Sequence, residues 1–328
     1  MKTGRACFIA KCAGRATLFP LVMLACSCRS EPASPSGSDA VSSAPPVPGK
    51  LETEQDDSAS SPIPEMVCIP AGTSLMGGMG FGASPVHSVS VDEFWIGKYE
   101  VTNREFAVFV EQTGYVTWAE EHPQFAFHSP DTHTTASDWK GVAGYEDGVL
   151  ANPSHPVVFV AHYDAVAYCK WLSEATGHPF RLPREDEWER AARGGLKLKP
   201  YVLGDEPGPI REAEEGLATV GTMSPPNPYG LYDMGGNVLE MTSSLYWPYP
   251  YDPNDGREEP DSIKLNNRLK GKSHRAVRGR YYVRRGAATS MRWDVLPCYA
   301  RDVIGFRVAS SQCPEGNERD TVESPETE

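Results

Sequence analysis

Positive charge is scarce in this sequence. Its 31 Lys and Arg stand against 44 Asp and Glu, a formal net charge of −13. That field repels phosphate backbones, so nucleic acid is not expected as a partner. Long apolar runs are scarce too. The run Ala16-Thr-Leu-Phe-Pro-Leu-Val-Met-Leu-Ala25 falls well short of the roughly 20 residues a membrane-spanning helix requires, which argues against a permanent transmembrane anchor. No cysteine lies between Cys169 and Cys298, so that whole stretch is without thiolate nucleophiles or thiolate metal ligands. Between Ser30 and Pro64 large apolar side chains nearly vanish in favour of Ser, Pro, Ala, Asp and Glu. Such a segment cannot bury enough surface to offset the entropy of ordering. No internal repeat is visible.

What is present suffices for a globular protein with appendages. The 328 residues, 40% of them hydrophobic, suit one large domain or two small ones with a sizeable core. Lys2, Arg5, Lys11 and Arg15 precede the apolar run, giving residues 1–25 the pattern of a signal peptide. Its Leu24-Ala25-Cys26 ending resembles a bacterial lipoprotein signal, although Met23 stands where such signals usually carry leucine. The resemblance implies lipidation of Cys26 and a place in the cell envelope, facing the periplasm or the cell exterior, with the lipid anchor as the only hold on the membrane. Simple cleavage and secretion is the alternative. Residues 26–64 then read as a disordered tether that lets a domain stand clear of the membrane surface. Residues 65–313 read as the domain itself, and 314–328 as a disordered acidic tail.

Within the domain the signals are short and mixed. Residues 66–70, 86–91 and 94–101 alternate as strands do. Thr102 or Asn103 can cap a helix that carries Phe106, Phe109 and Val110 until Gly114 stops it. A second helix is expected from Tyr163 or Asp164, burying Ala165, Ala167, Tyr168, Trp171 and Leu172 before Gly177. A third starts at Pro183, with Glu185, Asp186 and Glu187 against the positive end of its dipole, Trp188, Ala191 and Ala192 inward, and Gly194-Gly195 at its exit. After Gly195 the chain is rich in Gly, Pro, Tyr and Asn, which points to packed loops and buried aromatics rather than long regular elements.

Six stretches, taken in order, carry a wider resemblance: Met66-Val-Cys-Ile-Pro-Ala-Gly72; Phe94-Trp-Ile-Gly-Lys-Tyr-Glu-Val-Thr-Asn103; His155-Pro-Val-Val158 with Asp164-Ala-Val-Ala-Tyr-Cys-Lys-Trp-Leu172; Arg181-Leu-Pro-Arg-Glu-Asp-Glu-Trp-Glu189 with Ala191-Ala-Arg-Gly-Gly195; Asn227-Pro-Tyr-Gly-Leu-Tyr-Asp-Met-Gly-Gly-Asn-Val-Leu-Glu240; and Gly305-Phe-Arg-Val-Ala309. Together they resemble the formylglycine-generating enzyme, or sulfatase-modifying factor, family. The resemblance covers nearly the whole globular region and implies a single α+β domain, loop-rich and related to C-type lectin folds. Active members use copper and oxygen to oxidise a substrate cysteine in sulfatases to formylglycine, through two cysteines on the segment shortly before the closing Gly-Phe-Arg. Two thiolates make a soft site suited to Cu(I). Here the equivalent positions fall near Arg284 and Thr289, which cannot replace them, so copper is not expected and no catalytic residue is assigned. Leu239 also replaces the tryptophan frequent inside Gly-Asn-Val-Trp-Glu, which implies an altered substrate cleft beside residues 281–285.

The same resemblance implies calcium. Asp233 and Glu240 would donate side-chain oxygens and Gly236 and Val238 backbone carbonyls, the hard oxygens that this ion requires. The alternative is a tight turn in which the two carboxylates merely accept backbone hydrogen bonds. Cys68, Cys169, Cys298 and Cys313 are an even number for an oxidising compartment and allow three pairings. If the first and last strands are neighbours, as is usual in lectin-like folds, Cys68 joins Cys313 and Cys169 joins Cys298; otherwise they remain thiols. His122, His128 and His133 crowd one polar loop, but their spacing fits no metal motif. Glu185 and Glu189 share a helix face, and the helix N-terminus accounts for them better than acid–base chemistry does. Arg275, Arg278, Arg280, Arg284 and Arg285 make either a local site for an anionic ligand or a set of ion-paired arginines on strands. The function expected is a non-oxidising binding or accessory module that holds a peptide, glycan or partner protein in the cleft. An enzyme of altered chemistry on the same scaffold, or a true oxidase if the thiol segment aligns differently, are the alternatives, and fold likeness does not decide among them.

Overall fold

The computed structural model describes residues 63–80, 82–129, 136–146, 148–208, 216–258, 274–281 and 289–314. The signal segment, Cys26, the tether up to residue 62, the tail beyond 314, His133 and Arg284 lie outside them. The strands are β1 (Met66–Ile69), β2 (Gly72–Met76), β3 (His87–Val91), β4 (Phe94–Gly97), β5 (Ala126–Phe127), β6 (Tyr145–Glu146), β7 (Val149–Leu150), β8 (Phe180–Arg181), β9 (Leu239–Leu245), β10 (Arg275–Gly279), β11 (Arg292–Val295), β12 (Ala300–Arg301), β13 (Ile304–Gly305) and β14 (Ala309–Ser310). The helices are α1 (Asn103–Thr113), α2 (Trp118–Glu121), α3 (Trp139–Ala143), α4 (His162–Thr176) and α5 (Glu185–Arg193). None of them is long and apolar enough to cross a membrane among the described residues.

Each long helix begins and ends for a local reason. Thr102 Oγ1 accepts from the Glu105 N–H while the Glu105 carboxylate accepts from the Thr102 N–H at 2.7 Å, a reciprocal cap, and Gly114 closes α1 in the left-handed conformation. Ala161 has no side chain to cap α4, so the Asp164 carboxylate takes its N–H at 2.6 Å. The same carboxylate also takes the Trp118 N–H at 2.9 Å and the Tyr115 hydroxyl at 3.0 Å, which ties α4 to the entry of α2. Helix α5 begins at Glu185 rather than at Pro183, with Arg184 at its cap and its N–H held by Glu187 at 2.8 Å.

Two four-stranded sheets organise the core. One runs β1-β4-β14-β8 with antiparallel neighbours; the other runs β11-β10-β9-β13, with only β13 parallel to its neighbour. In the first sheet β4 separates β1 from β14, so that Cys68 and Ser310 both stand opposite Trp95 from its two sides. That order removes the premise of the expected disulfides, because two strand spacings of about 4.8 Å exceed the Cα separation of about 4.4–6.8 Å that a disulfide spans. Cys68 is not joined to Cys313, nor Cys169 to Cys298. Burial pushes the Cys169 thiol up to about 12, so it sits as an inert small apolar side chain.

The strands after Gly195 are more regular than the composition suggests. β9 is covered along nearly its whole length, so it shows no polar alternation in sequence. Its Leu239 and Met241 join Val277, Val295 and Ile304 in a core shared with Phe106, Phe109 and Tyr168 of α1 and α4. Glu240 of β9, with Arg278 and Arg292 of the neighbouring strands, turns instead to α5 and its core around Trp188.

Candidate functional site

A cleft of about 240 Å³ opens at one end of the apolar face of the second sheet. Leu239, Val277 and Ile304 line it together with the aromatic rings of Tyr281 and Trp293, and Asp294 and Arg301 add opposite charges. Leu239 and Tyr281, the positions singled out from sequence as bordering the substrate cleft, therefore meet in one place. Thr289 does not join them. It is buried on the α5 side of the sheet, where its N–H and hydroxyl donate to the Pro200 carbonyl at 2.7 and 3.3 Å and its own carbonyl accepts from Arg278 at 3.0 Å. No thiol borders the cleft among the described residues.

Glu185 and Glu189 prove to be anchors of a buried ion-pair network, which replaces the dipole account of their position. Arg292 holds Glu185 through Nε and Nη2 at 2.5 and 2.7 Å, and Arg278 reaches Glu189 at 2.6 Å and Glu185 at 3.2 Å. Arg193 and the Gly77 N–H complete Glu189 at 2.5 and 2.8 Å. Burial alone would raise the Glu189 pKa, but Arg278 and Arg193 outweigh it and hold the carboxyl below its ordinary value. A carboxylate kept ionised and saturated by two guanidinium groups is a poor proton shuttle, so the network braces the sheet against α5. The histidines are equally engaged: His122 stacks on Trp118 at 4.0 Å, and His128 packs edge-on against Phe159 within 3.7 Å of Asp302. Among the described residues no three His, Cys, Asp or Glu side chains converge as a ready metal cage.

The Asp233–Glu240 loop is more revealing. Asp233 accepts three backbone N–H groups, from Gly221, Met223 and Ser224 at 2.5, 3.1 and 3.3 Å. Glu240 takes the Arg307 guanidinium at 2.6 and 2.7 Å and the Trp188 indole N–H at 2.8 Å. Asp233 and Asn237 both adopt left-handed backbone, at φ 59° and 62°, a conformation uncommon for side-chain-bearing residues. Beside them lies a residue that sequence reasoning passed over. Glu100 is fully buried, and neither of its carboxylate oxygens meets a hydrogen-bond donor. Burial, then the nearby Asp233 and Glu240, drive its pKa well up against the opposing pull of Arg307. An orphaned buried carboxylate beside two other acids is an observation that a divalent cation fits. The signal for it was an acid inside the apolar run 94–101.

The Sulfatase-modifying factor enzyme 1-like domain matches residues 52–312 of this chain. The chain belongs to that family. It is 31% identical over 296 residues to a formylglycine-generating enzyme of Bos taurus, an alignment covering 77% of this chain and 76% of that protein. It is 32% identical over 292 residues to an inactive C-alpha-formylglycine-generating enzyme 2 of Mus musculus, covering 76% of this chain and 86% of the relative. Among solved structures, PvdO from Pseudomonas aeruginosa superposes with a TM-score of 0.57 at 26% identity, over 77% of this chain and 96% of that one. The mixed helix and sheet, loop-rich single domain is thus the family's fold. The copper that the family's oxidation chemistry implies does not fit the residues here: the Thr289 hydroxyl, a hard oxygen, is turned to Pro200, away from the cleft.

Proposed function

We propose that this family member is a non-oxidising binding or accessory module that holds an anchoring group of a peptide, glycan or partner protein in the cleft of Leu239, Tyr281 and Trp293. One observation carries the reading: the cleft offers apolar and aromatic walls with one acid and one base, but no thiol among its described lining. At about 240 Å³ it is smaller than the roughly 300–1,000 Å³ of small-molecule pockets, a size that suits one side chain or ring of a larger ligand. Tyr281 and Trp293 offer flat surface and a polar edge to such a group. The existence of a relative described as inactive supports the same reading. Lipidation at Cys26 and display in the cell envelope, on the sequence pattern given above, would present this cleft to extracytoplasmic ligands. Calcium, held by Glu100, Asp233 and Glu240 with the Gly236 and Val238 carbonyls, would serve as a structural ion supplying charge neutralisation beneath β9.

The test is chemical. The purified chain is incubated with a cysteine-containing sulfatase peptide, copper, oxygen and reductant, and the peptide is weighed by mass spectrometry. No change in peptide mass is expected. Conversion of the thiol to an aldehyde, abolished by Cys298→Ala, would overturn the reading and make the chain an unconventional oxidase.

A further inference from the structure

A second cavity, of about 710 Å³, opens toward the other end of the same sheet face, between α4 and the strands β8, β9 and β10. It shares no lining residue with the cleft, and on β9 the fully buried Met241 stands between Leu239 of the one and Ser243 of the other. Val166, Cys169, Phe180 and Leu182 give it apolar walls. Its volume lies within the roughly 300–1,000 Å³ of pockets that enclose a small molecule.

The charge at this cavity is unusual. Arg275 is 3% exposed, its Nη1 donates to the Ser243 carbonyl, and its Nε is buried without a partner. No carboxylate of the described residues lies within 4.0 Å of it. Every other cation on the lining is matched: Arg181 with Glu187 at 2.7 Å, Arg184 with Asp186 at 2.9 Å and Lys170 with Glu174 at 3.8 Å. Glu258, also on the wall, is held by the hydroxyls of Ser243, Ser244 and Tyr251 rather than by Arg275. A guanidinium stays charged in a protein, and Glu258 acts on this one only from beyond ion-pair contact, so the buried charge is an electrostatic deficit that a bound anion would reduce.

We propose that this cavity binds a small organic carboxylate with an apolar body, its carboxylate on Arg275 and its body against Val166, Cys169, Phe180 and Leu182. A single guanidinium matches one negative charge and the planar fork of a carboxylate. A phosphate dianion would bring excess charge toward Glu258 and leave oxygens against apolar walls. Decanoate is the probe, titrated calorimetrically into the purified full chain. It binds, and decanol and inorganic phosphate bind about tenfold more weakly or worse. Arg275→Met folds, because it deletes an uncompensated charge, and loses about tenfold or more in decanoate affinity. Val166→Trp, at a position 48% exposed on the rim, narrows the cavity and weakens decanoate while leaving Tm unchanged. Absence of decanoate binding to the unmodified chain, equal binding of decanol, or undiminished binding by either variant overturns the proposal.

Discussion

Calcium withdrawal tests a buried spot where acids outnumber guanidinium groups. Glu100 is buried in the field of Asp233, Glu240 and the single guanidinium of Arg307, which leaves two negative charges uncompensated when all are ionised. An effective penalty of several kcal/mol per unpaired buried ion makes such a cluster hard to sustain without a counter-ion. An ion present at about 100 times its Kd adds about 2.7 kcal/mol to folding. In a domain of this size each kcal/mol moves Tm by about 2–4 °C, so adding EGTA should lower Tm by about 5–11 °C. Glu100→Gln then separates a ligand from a merely misplaced acid. If Glu100 binds the ion, the variant melts lower than the unmodified chain in calcium and no longer responds to EGTA. If no ion is held there, Glu100 is driven toward its neutral acid form, and replacing it by an equally neutral amide leaves Tm nearly unchanged in every buffer. Differential scanning fluorimetry in calcium and in EGTA reads both effects. Coincident melting curves in calcium and in EGTA, for the unmodified chain and for Glu100→Gln alike, would refute the calcium assignment and leave the loop as a turn.

Two further outcomes follow from buried charge. His162 donates from Nε2 to the Thr242 carbonyl at 3.1 Å, and burial followed by the nearby Arg275 pushes its pKa from 6.5 down to about 3. The unfolded chain therefore takes up a proton below pH 6.5 that the folded chain refuses until about pH 3. Its contribution is present above that window and lost as pH falls through it, at up to about 1.4 kcal/mol per pH unit. His162→Gln should flatten the acid limb of a plot of stability against pH, and an unchanged limb would count against the buried neutral imidazole. Arg278→Met should destabilise by about 3–5 kcal/mol in urea unfolding, because it strips a partner from Glu185 and Glu189 in the buried network; a change below about 1 kcal/mol would mean that Arg193 and Arg292 suffice.

The helices were legible because their signals are local. Thr102 with Glu105, and the glycines at 114, 177 and 194, are start and stop marks that need no knowledge of the rest of the chain. Strand order is not local: nothing in the sequence shows that β4 comes to lie between β1 and β14, which removes the adjacency on which the Cys68–Cys313 pair depends. Strand β9 was hidden for another reason. With both faces covered it carries no alternating pattern, and Thr242, Ser243 and Ser244 read as loop. The Asp233 and Glu240 positions came from the family resemblance alone. Glu100 could be recognised as part of the same cluster only once the fold brought β4's C-terminal end beside that loop.

The late arginines show where counting charges along a sequence stops being informative. One cluster raised two readings, an anion site and a set of structural ion pairs, and the strand's alternation divides the residues between them. Arg278 stands opposite Glu240 and Arg292 in register and points with them at α5, where it pairs with Glu185 and Glu189. Arg275 lies across a register shift from Val277, and its guanidinium lines the cavity on the α4 side with no carboxylate in contact. Three positions along one strand thus change an arginine from a brace into an unmatched charge. The parity of a residue in β10, which only the sheet reveals, decides what its substitution does: methionine at 278 unpairs two buried acids, whereas methionine at 275 removes a charge that makes no contact ion pair.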